Sequence, residues 1–222
     1  MIKLVLLDVD GTLTDRERMI STRAIEAIRK IQNDGMTVSL ASGNVIPVMY
    51  GLKILLGING PVFGENGGVK FQETTEAFFS MEKPLEVFNR LHDEGKLEGI
   101  LSNRWRETSC GYVPTSGNEG YIRAVAESEG LETVDSGYSW HLLNRGQNKG
   151  YALDHLKKLY NLEYSEIAVM GDSFNDLSMF RHDVYKAVPA NAQNELKEIA
   201  DFVAMSDNGD GVAELLSSLR NL

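Results

Sequence analysis

A short apolar run over residues 2–7 stops at two aspartates in Asp8-Val9-Asp10-Gly11-Thr12, and another over residues 166–170 stops at Gly171-Asp172. Runs of this length suit strands buried on both faces, the pattern of a parallel sheet. Such strands need helices on either side. Ser21 can cap a helix with Ala24, Ile25, Ile28 and Ile31 at helical spacing, and Asp34-Gly35 ends it. Residues 36–41 read as the next strand, 45–56 as a helix and 61–63 as a strand. Residues 69–71 then pair back after the Glu65-Asn66-Gly67-Gly68 turn. The alternation resumes with helix 149–160, strand 166–170, a helical start over 176–180, strand 184–188, helix 192–200, strand 202–204 and helix 212–219. The expected fold is α/β, a Rossmann-like parallel sheet core with helices on both faces.

Residues from about 80 to 147 break this rhythm. Helical stretches 85–94 and 119–129 alternate there with strand-like segments 100–103, 108–113, 133–135 and 139–144. The expected organisation is a discontinuous core domain, 1–79 with 149–222, and an inserted α/β cap domain, 80–148. With 42% apolar and 24% charged residues the chain is too hydrophobic to be disordered. Its 22 Lys+Arg against 32 Asp+Glu give a net charge of −10, which leaves no excess cation to neutralise nucleic acid. The single cysteine, Cys110, excludes an internal disulfide framework and suits a reducing compartment. The apolar run before Asp8 is too short for a signal peptide, and Pro47, Lys53 and Asn59 interrupt the weakly polar stretch 45–64. A cytoplasmic protein without nucleic-acid or membrane partners is expected.

In open α/β sheets ligands bind at the carboxyl ends of the strands, where Asp8 and Asp10 fall. Two carboxylates so close repel unless a cation joins them or one keeps its proton. Asp172 and Asp176 reach the same edge from the other end of the chain. Helix capping accounts for one of these acids but not for both beside Asp8 and Asp10. Four oxygen donors suit a hard divalent cation, and carboxylate with phosphate oxygens suits Mg2+. Such an ion would let an acidic chain attract an anionic metabolite. Ser42-Gly43-Asn44, after the second strand, offers a hydroxyl and backbone N–H groups to an anion. Lys149 opens the first element after the insertion. Within the insertion, Arg104, Trp105 and Arg106 read two ways. Either the arginines are solvated and Trp105 packs in the core, or one guanidinium clamps a substrate carboxylate. His141 and Arg145 are weaker candidates for that duty. His92, His155 and His182 have no zinc spacing, and Cys110 reads as inert.

Together these segments resemble the haloacid dehalogenase-like hydrolase superfamily. Asp8-Val9-Asp10-Gly11-Thr12 is similar to its nucleophile motif, Ser42 to its phosphate-holding residue, Lys149 to its lysine, and Gly171-Asp172 through Asp176 to its acidic metal motif. The insertion resembles the larger α/β cap class. Phe63 to Gly68, Asn103-Arg104-Trp105-Arg106 and Ser136 to His141 resemble an archaeal phosphatase branch related to sucrose-phosphate phosphatases. The resemblance implies a Mg2+-dependent phosphomonoesterase acting on a small anionic phosphorylated metabolite, 2-phosphoglycolate. It makes Asp8 the nucleophile, forming an aspartyl-phosphate, and Asp10 the acid and base. It gives the ion to Asp8, the Asp10 carbonyl and Asp172, with Asp176 completing that shell, and the phosphate to Ser42, Gly43, Asn44, Lys149 and Asn175. Asn44 departs from the pattern, standing where many relatives carry arginine. A homo-oligomer is compatible with this reading. Alternatives are a sugar-phosphate phosphatase or phosphomutase on the same scaffold, and a phospho-aspartate switch.

Overall fold

Every residue of β1 (Leu4–Asp8) is buried, and its apolar side chains divide between two cores: Val5 and Leu7 on one face, Leu4 and Leu6 on the other. A strand with that period-two division needs cover on both sides. The computed structural model, which describes residues 1–220, shows how the chain provides it. After β1 come α1 (Thr22–Asn33), β2 (Thr37–Ala41), α2 (Ile46–Leu56), β3 (Val62–Gly64), β4 (Val69–Phe71) and β5 (Thr75–Ala77). Next are α3 (Glu82–Asp93), β6 (Leu97–Gly99), β7 (Cys110–Pro114), α4 (Glu119–Ser128), β8 (Leu131–Asp135) and β9 (Trp140–Asn144). The last stretch holds α5 (Lys149–Tyr160), β10 (Ile167–Met170), β11 (Tyr185–Val188), α6 (Asn194–Lys197), β12 (Phe202–Val203) and α7 (Asn208–Leu219).

One sheet has the strand order β12-β11-β10-β1-β2-β3-β4-β5, parallel from β12 to β3 and antiparallel beyond. α1, α2 and α7 pack Ile28, Met49 and Leu215 against Val5, Val38 and Met170 on one face. Leu153 and Leu156 of α5 cover Leu4, Leu6 and Val169 on the other. This is an α/β fold with a parallel sheet core and helices on both faces. A second sheet, β6-β7-β9-β8, is antiparallel and shares a separate cluster with α3 and α4, built on Leu91, Tyr112, Ile122 and Leu142. Among the described residues no helix is long and apolar enough to cross a membrane.

The first sheet sets up the crevice. From β1 the chain moves to β2 on one side and later returns to β10 on the other, so the strand order reverses at β1. Leu7 pairs with Met170 and Asp8 with Ala41, so Asp8, Ser42 and Gly171 terminate adjacent strands. Residues far apart in sequence thereby meet at one edge.

Four local expectations change. Residues 100–103 are not a strand; the strand is β6, and 101–105 form a tight 3-10 turn. Asn103 ends the ladder there by exchanging two hydrogen bonds with the Gly111 backbone, at 2.8 and 2.7 Å. Residues 176–180 do not open an α-helix. Asp176 turns its carboxylate back onto the amides of Asp172 and Ser173, and the following amides bond three residues back. The helix expected over 192–200 contracts to α6, flanked by similar tight turns. α7 begins at Asn208, because the absent side chain of Gly209 lets its first turn lie against the Leu13 carbonyl. Strand β5 escaped the sequence pattern altogether; it is a polar edge fixed by a 2.6 Å Lys70–Glu76 ion pair.

Because Leu40 is fully buried in the core against α1 and α2, Leu40→Ala should cost about 2–5 kcal/mol in urea unfolding.

Candidate active site

Asp8 ends β1 with its carboxylate buried. Facing it is Lys149, the first residue of α5, whose helix start is set by the Asn148 side chain accepting from the Gly150 amide at 3.0 Å. The Lys149 ammonium donates to Asp8 Oδ1 and, at 2.7 Å, to Asp176 Oδ1. Asp176 Oδ2 accepts from the backbone amides of Asp172 (2.9 Å) and Ser173 (3.0 Å), so this one carboxylate both closes its own turn and holds the lysine. Asp172 Oδ1 accepts from the Thr12 hydroxyl at 2.9 Å.

Two glycines make the approach possible. Gly11 turns the chain at φ +89°, and a Cβ there would lie 2.6 Å from Asp172 Oδ2. A Cβ on Gly171 would collide with the Asp176 side chain.

Asp8, Asp172 and Asp176 each present an oxygen within 4.8 Å of the others, against a single ammonium. The electrostatics register the crowding. Burial, then the charge of Asp176, push Asp8 well above the usual carboxylate range, although Lys149 opposes them. Burial and Asp176 likewise raise Asp172, to about 6. Burial alone would discharge Lys149, but Asp176 and Asp8 hold it protonated beyond the ordinary lysine range. An all-oxygen cluster with surplus negative charge fits a hard divalent cation.

Asp10 lies apart from this cluster. Its Oδ2 accepts from Asn44 Nδ2 at 2.6 Å and from the Ser42 hydroxyl at 3.0 Å. Ser42 Oγ in turn accepts from the Asn44 amide at 3.0 Å. Asn44, the departure from the family pattern, therefore holds the Asp10 side chain.

Above lies a cavity of about 390 Å³. Asp8, Asp10, Gly43, Asn44, Lys149 and Asn175 line its floor, and Trp105, Arg106, Tyr138 and His141 of the second-sheet region line its roof. Arg104 is exposed, does not line the cavity, and stacks over Trp105 at 5.0 Å. Trp105 is not in a core; it is half-exposed on the cavity wall. His141 is buried and neutral, its pKa lowered to about 3 by burial and then by Arg106 and Lys149. Arg145 lines a neighbouring cavity with Arg181. His155 packs against Phe63 and Phe78, His182 stacks on Tyr164, and exposed His92 lies beside Phe88. Burial pushes the Cys110 thiol up to about 12, which leaves it unreactive. Thr12, Glu65 and Asn66 also take part, though nothing in the sequence marks them beyond their places in the segments 8–12 and 63–68.

Family comparison agrees with this geometry. The haloacid dehalogenase-like hydrolase family matches residues 5–124 and 127–216, and the chain belongs to that family. A phosphoglycolate phosphatase of Thermoplasma volcanium is 51% identical over 219 residues, 98% of each chain. A crystal structure of a Thermoplasma acidophilum protein superposes with a TM-score of 0.96 at 49% identity, covering both chains completely. A haloacid dehalogenase-like hydrolase of Bacteroides thetaiotaomicron shares the fold at a TM-score of 0.85 and 23% identity, over 99% of this chain and 100% of its own.

Carboxyls with raised pKa values bind more protons folded than unfolded. Without metal, stability therefore falls as pH rises from the unfolded value of about 4 through the Asp172 value of about 6. A cation displaces those protons. Millimolar Mg2+ should raise the melting temperature more at about pH 7.5 than at about pH 5, and Asp172→Asn should remove most of that difference in thermal unfolding.

Proposed function

We propose that this chain is a Mg2+-dependent phosphomonoesterase of small phosphorylated metabolites, with 2-phosphoglycolate as substrate and Asp8 as nucleophile. The observation that carries the reading is the buried Lys149 ammonium joining Asp8 to Asp176, with Asp172 alongside and Asp10 two residues away beneath a small cavity. The name and 51% identity of the Thermoplasma relative support the substrate.

Lys149 fixes Asp8 through Oδ1, which leaves Oδ2 to attack phosphorus. The O–P bond to the leaving group breaks as the new Asp8–phosphorus bond forms. Asp10 gives its proton to the departing alkoxide, then takes one from the water that attacks the aspartyl-phosphate and frees Asp8. Asn44 and Ser42 aim Asp10 for both transfers. The third N–H of Lys149, the Gly43 backbone and Asn175 hold the phosphoryl oxygens, while the buried Ser42 spends its single O–H on Asp10. Asp8, the Asp10 carbonyl and Asp172 would hold Mg2+, which when bound offsets the charge on the transferring group. Asp176, whose carboxylate also holds Lys149 and its own turn, would complete or orient the shell of that ion. Residues 80–148 serve as a cap domain over a core of 1–79 and 149–222, screening the reaction from water.

A panel of phosphoesters assayed with Mg2+ and with chelator tests this. Release of phosphate from 2-phosphoglycolate, abolished by chelator, is the expected result. Phosphoryl transfer to a second sugar hydroxyl would indicate a mutase, and a long-lived phospho-Asp8 a switch. Asp8→Asn should lower kcat by at least about 10³-fold with an unchanged circular dichroism spectrum. Asp10→Asn should lower it by roughly 10²–10⁴-fold.

A further inference from the structure

The cavity roof holds a buried cation with no carboxylate in contact. Arg106 is only 8% exposed, yet it forms no ion pair with any described residue. Its guanidinium donates to the Ser109 hydroxyl at 3.0 Å and to the Gly43 carbonyl at 3.2 Å. These contacts engage two of its five N–H groups, and Nε has no partner. A charge removed from water with so little compensation is costly unless a ligand completes it. Of the other two cations lining this cavity, Lys149 is paired with Asp8 and Asp176, and Arg18 is exposed and rests 4.7 Å from the Tyr138 ring, so neither needs such a partner.

The position of Arg106 is built deliberately. Gly111 keeps the strand beside it open: a Cβ there would collide with the Ile100 side chain and approach Arg106 Nε to 3.1 Å. On its other side, Ser109 accepts from Arg106 and donates to Glu65 Oε2 at 2.7 Å. Glu65 is fully buried in the turn between β3 and β4, at φ +52°. Its carboxylate also accepts from the Glu107 amide (2.8 Å) and from the Thr108 amide and hydroxyl (3.0 Å each). Every one of these donors comes from the three residues that follow Arg106. Glu65 thus anchors that segment to the first sheet and supplies a negative charge one hydroxyl away from the guanidinium.

We propose that Arg106 receives a carboxylate carried on the leaving group of the substrate, and that Ser109 and Glu65 are positioning residues for its guanidinium. A planar fork of N–H donors suits a carboxylate better than a hydroxyl. The contact with Gly43, which lines the cavity floor with Asp8 and Lys149, puts the guanidinium close to the phosphoryl position. The spacer between phosphate and carboxylate must then be short, as in a two-carbon acid. The inference rests on the phosphomonoesterase reading above.

The test compares 2-phosphoglycolate with ethyl phosphate, which lacks the carboxylate, in the Mg2+-loaded enzyme. The wild type should prefer 2-phosphoglycolate strongly. Arg106→Met should lower kcat/KM for 2-phosphoglycolate roughly 10²-fold and change ethyl phosphate less than about threefold. Arg106→Lys should recover part of the loss, keeping charge without the fork. Ser109→Ala, the milder probe of the relay, should raise KM for 2-phosphoglycolate about five- to tenfold with kcat within about twofold, and leave ethyl phosphate unaffected. Equal losses on both substrates, or no loss on either, would overturn the assignment. A wild type that hydrolyses both esters without preference overturns it too, while the phosphatase reading stands; a wild type that hydrolyses neither overturns both.

Discussion

The site depends on one buried ammonium. Lys149 lies between two carboxylates that are themselves almost wholly removed from water, so each group is tolerable only because the others are present. Removing one partner from such a set costs far more than a surface ion pair contributes, since an unpaired charge stays behind in a medium of low polarisability. The trio also joins three separate pieces of chain: the end of β1, the start of α5 and the turn after β10. Chemistry and tertiary structure therefore share the same contacts.

Those contacts exist because the strand order reverses at β1 and leaves an open edge. A protein with a net charge of −10 would repel phosphorylated substrates at long range. Locally the sign is mixed. The walls of the cavity carry Lys149, Arg106 and Arg18 opposite the aspartates, and a divalent cation among those aspartates would tip the balance toward binding anions. Separate clusters of apolar residues underlie floor and roof, so the two walls rest on independent packing and meet chiefly through polar side chains such as Glu65, Arg106 and Gln147.

The strands of the core were legible because burial on both faces leaves an unbroken apolar signature, as in β1, β2 and β10. Asp8 and Asp172 were legible for a related reason, since each stands where such a strand ends at the edge where ligands bind, and Lys149 because it opens the first element after the insertion. The remainder was hidden where side chains override the backbone pattern. Asp176 captures its own turn and stops a helix, and Asn103 closes a ladder that apolar spacing would have extended. Thr12 and Glu65 find their partners 160 and up to 44 positions away, distances at which no local pattern carries information. Asn44 read as part of an anion-holding segment and as a departure from the family pattern, and its hold on Asp10 became visible with the coordinates.

The two glycines beside the acids bear on how such a site tolerates change. Gly11 and Gly171 carry no chemistry, yet the atoms of Asp172 and Asp176 fill the volume any side chain would need. In a population of variants they would be purged as strictly as the acids themselves, for steric rather than chemical reasons. Evolution toward new substrates is accordingly channelled away from this floor and onto the opposite wall, where residues such as Leu101 and Tyr138 meet solvent and have space to vary.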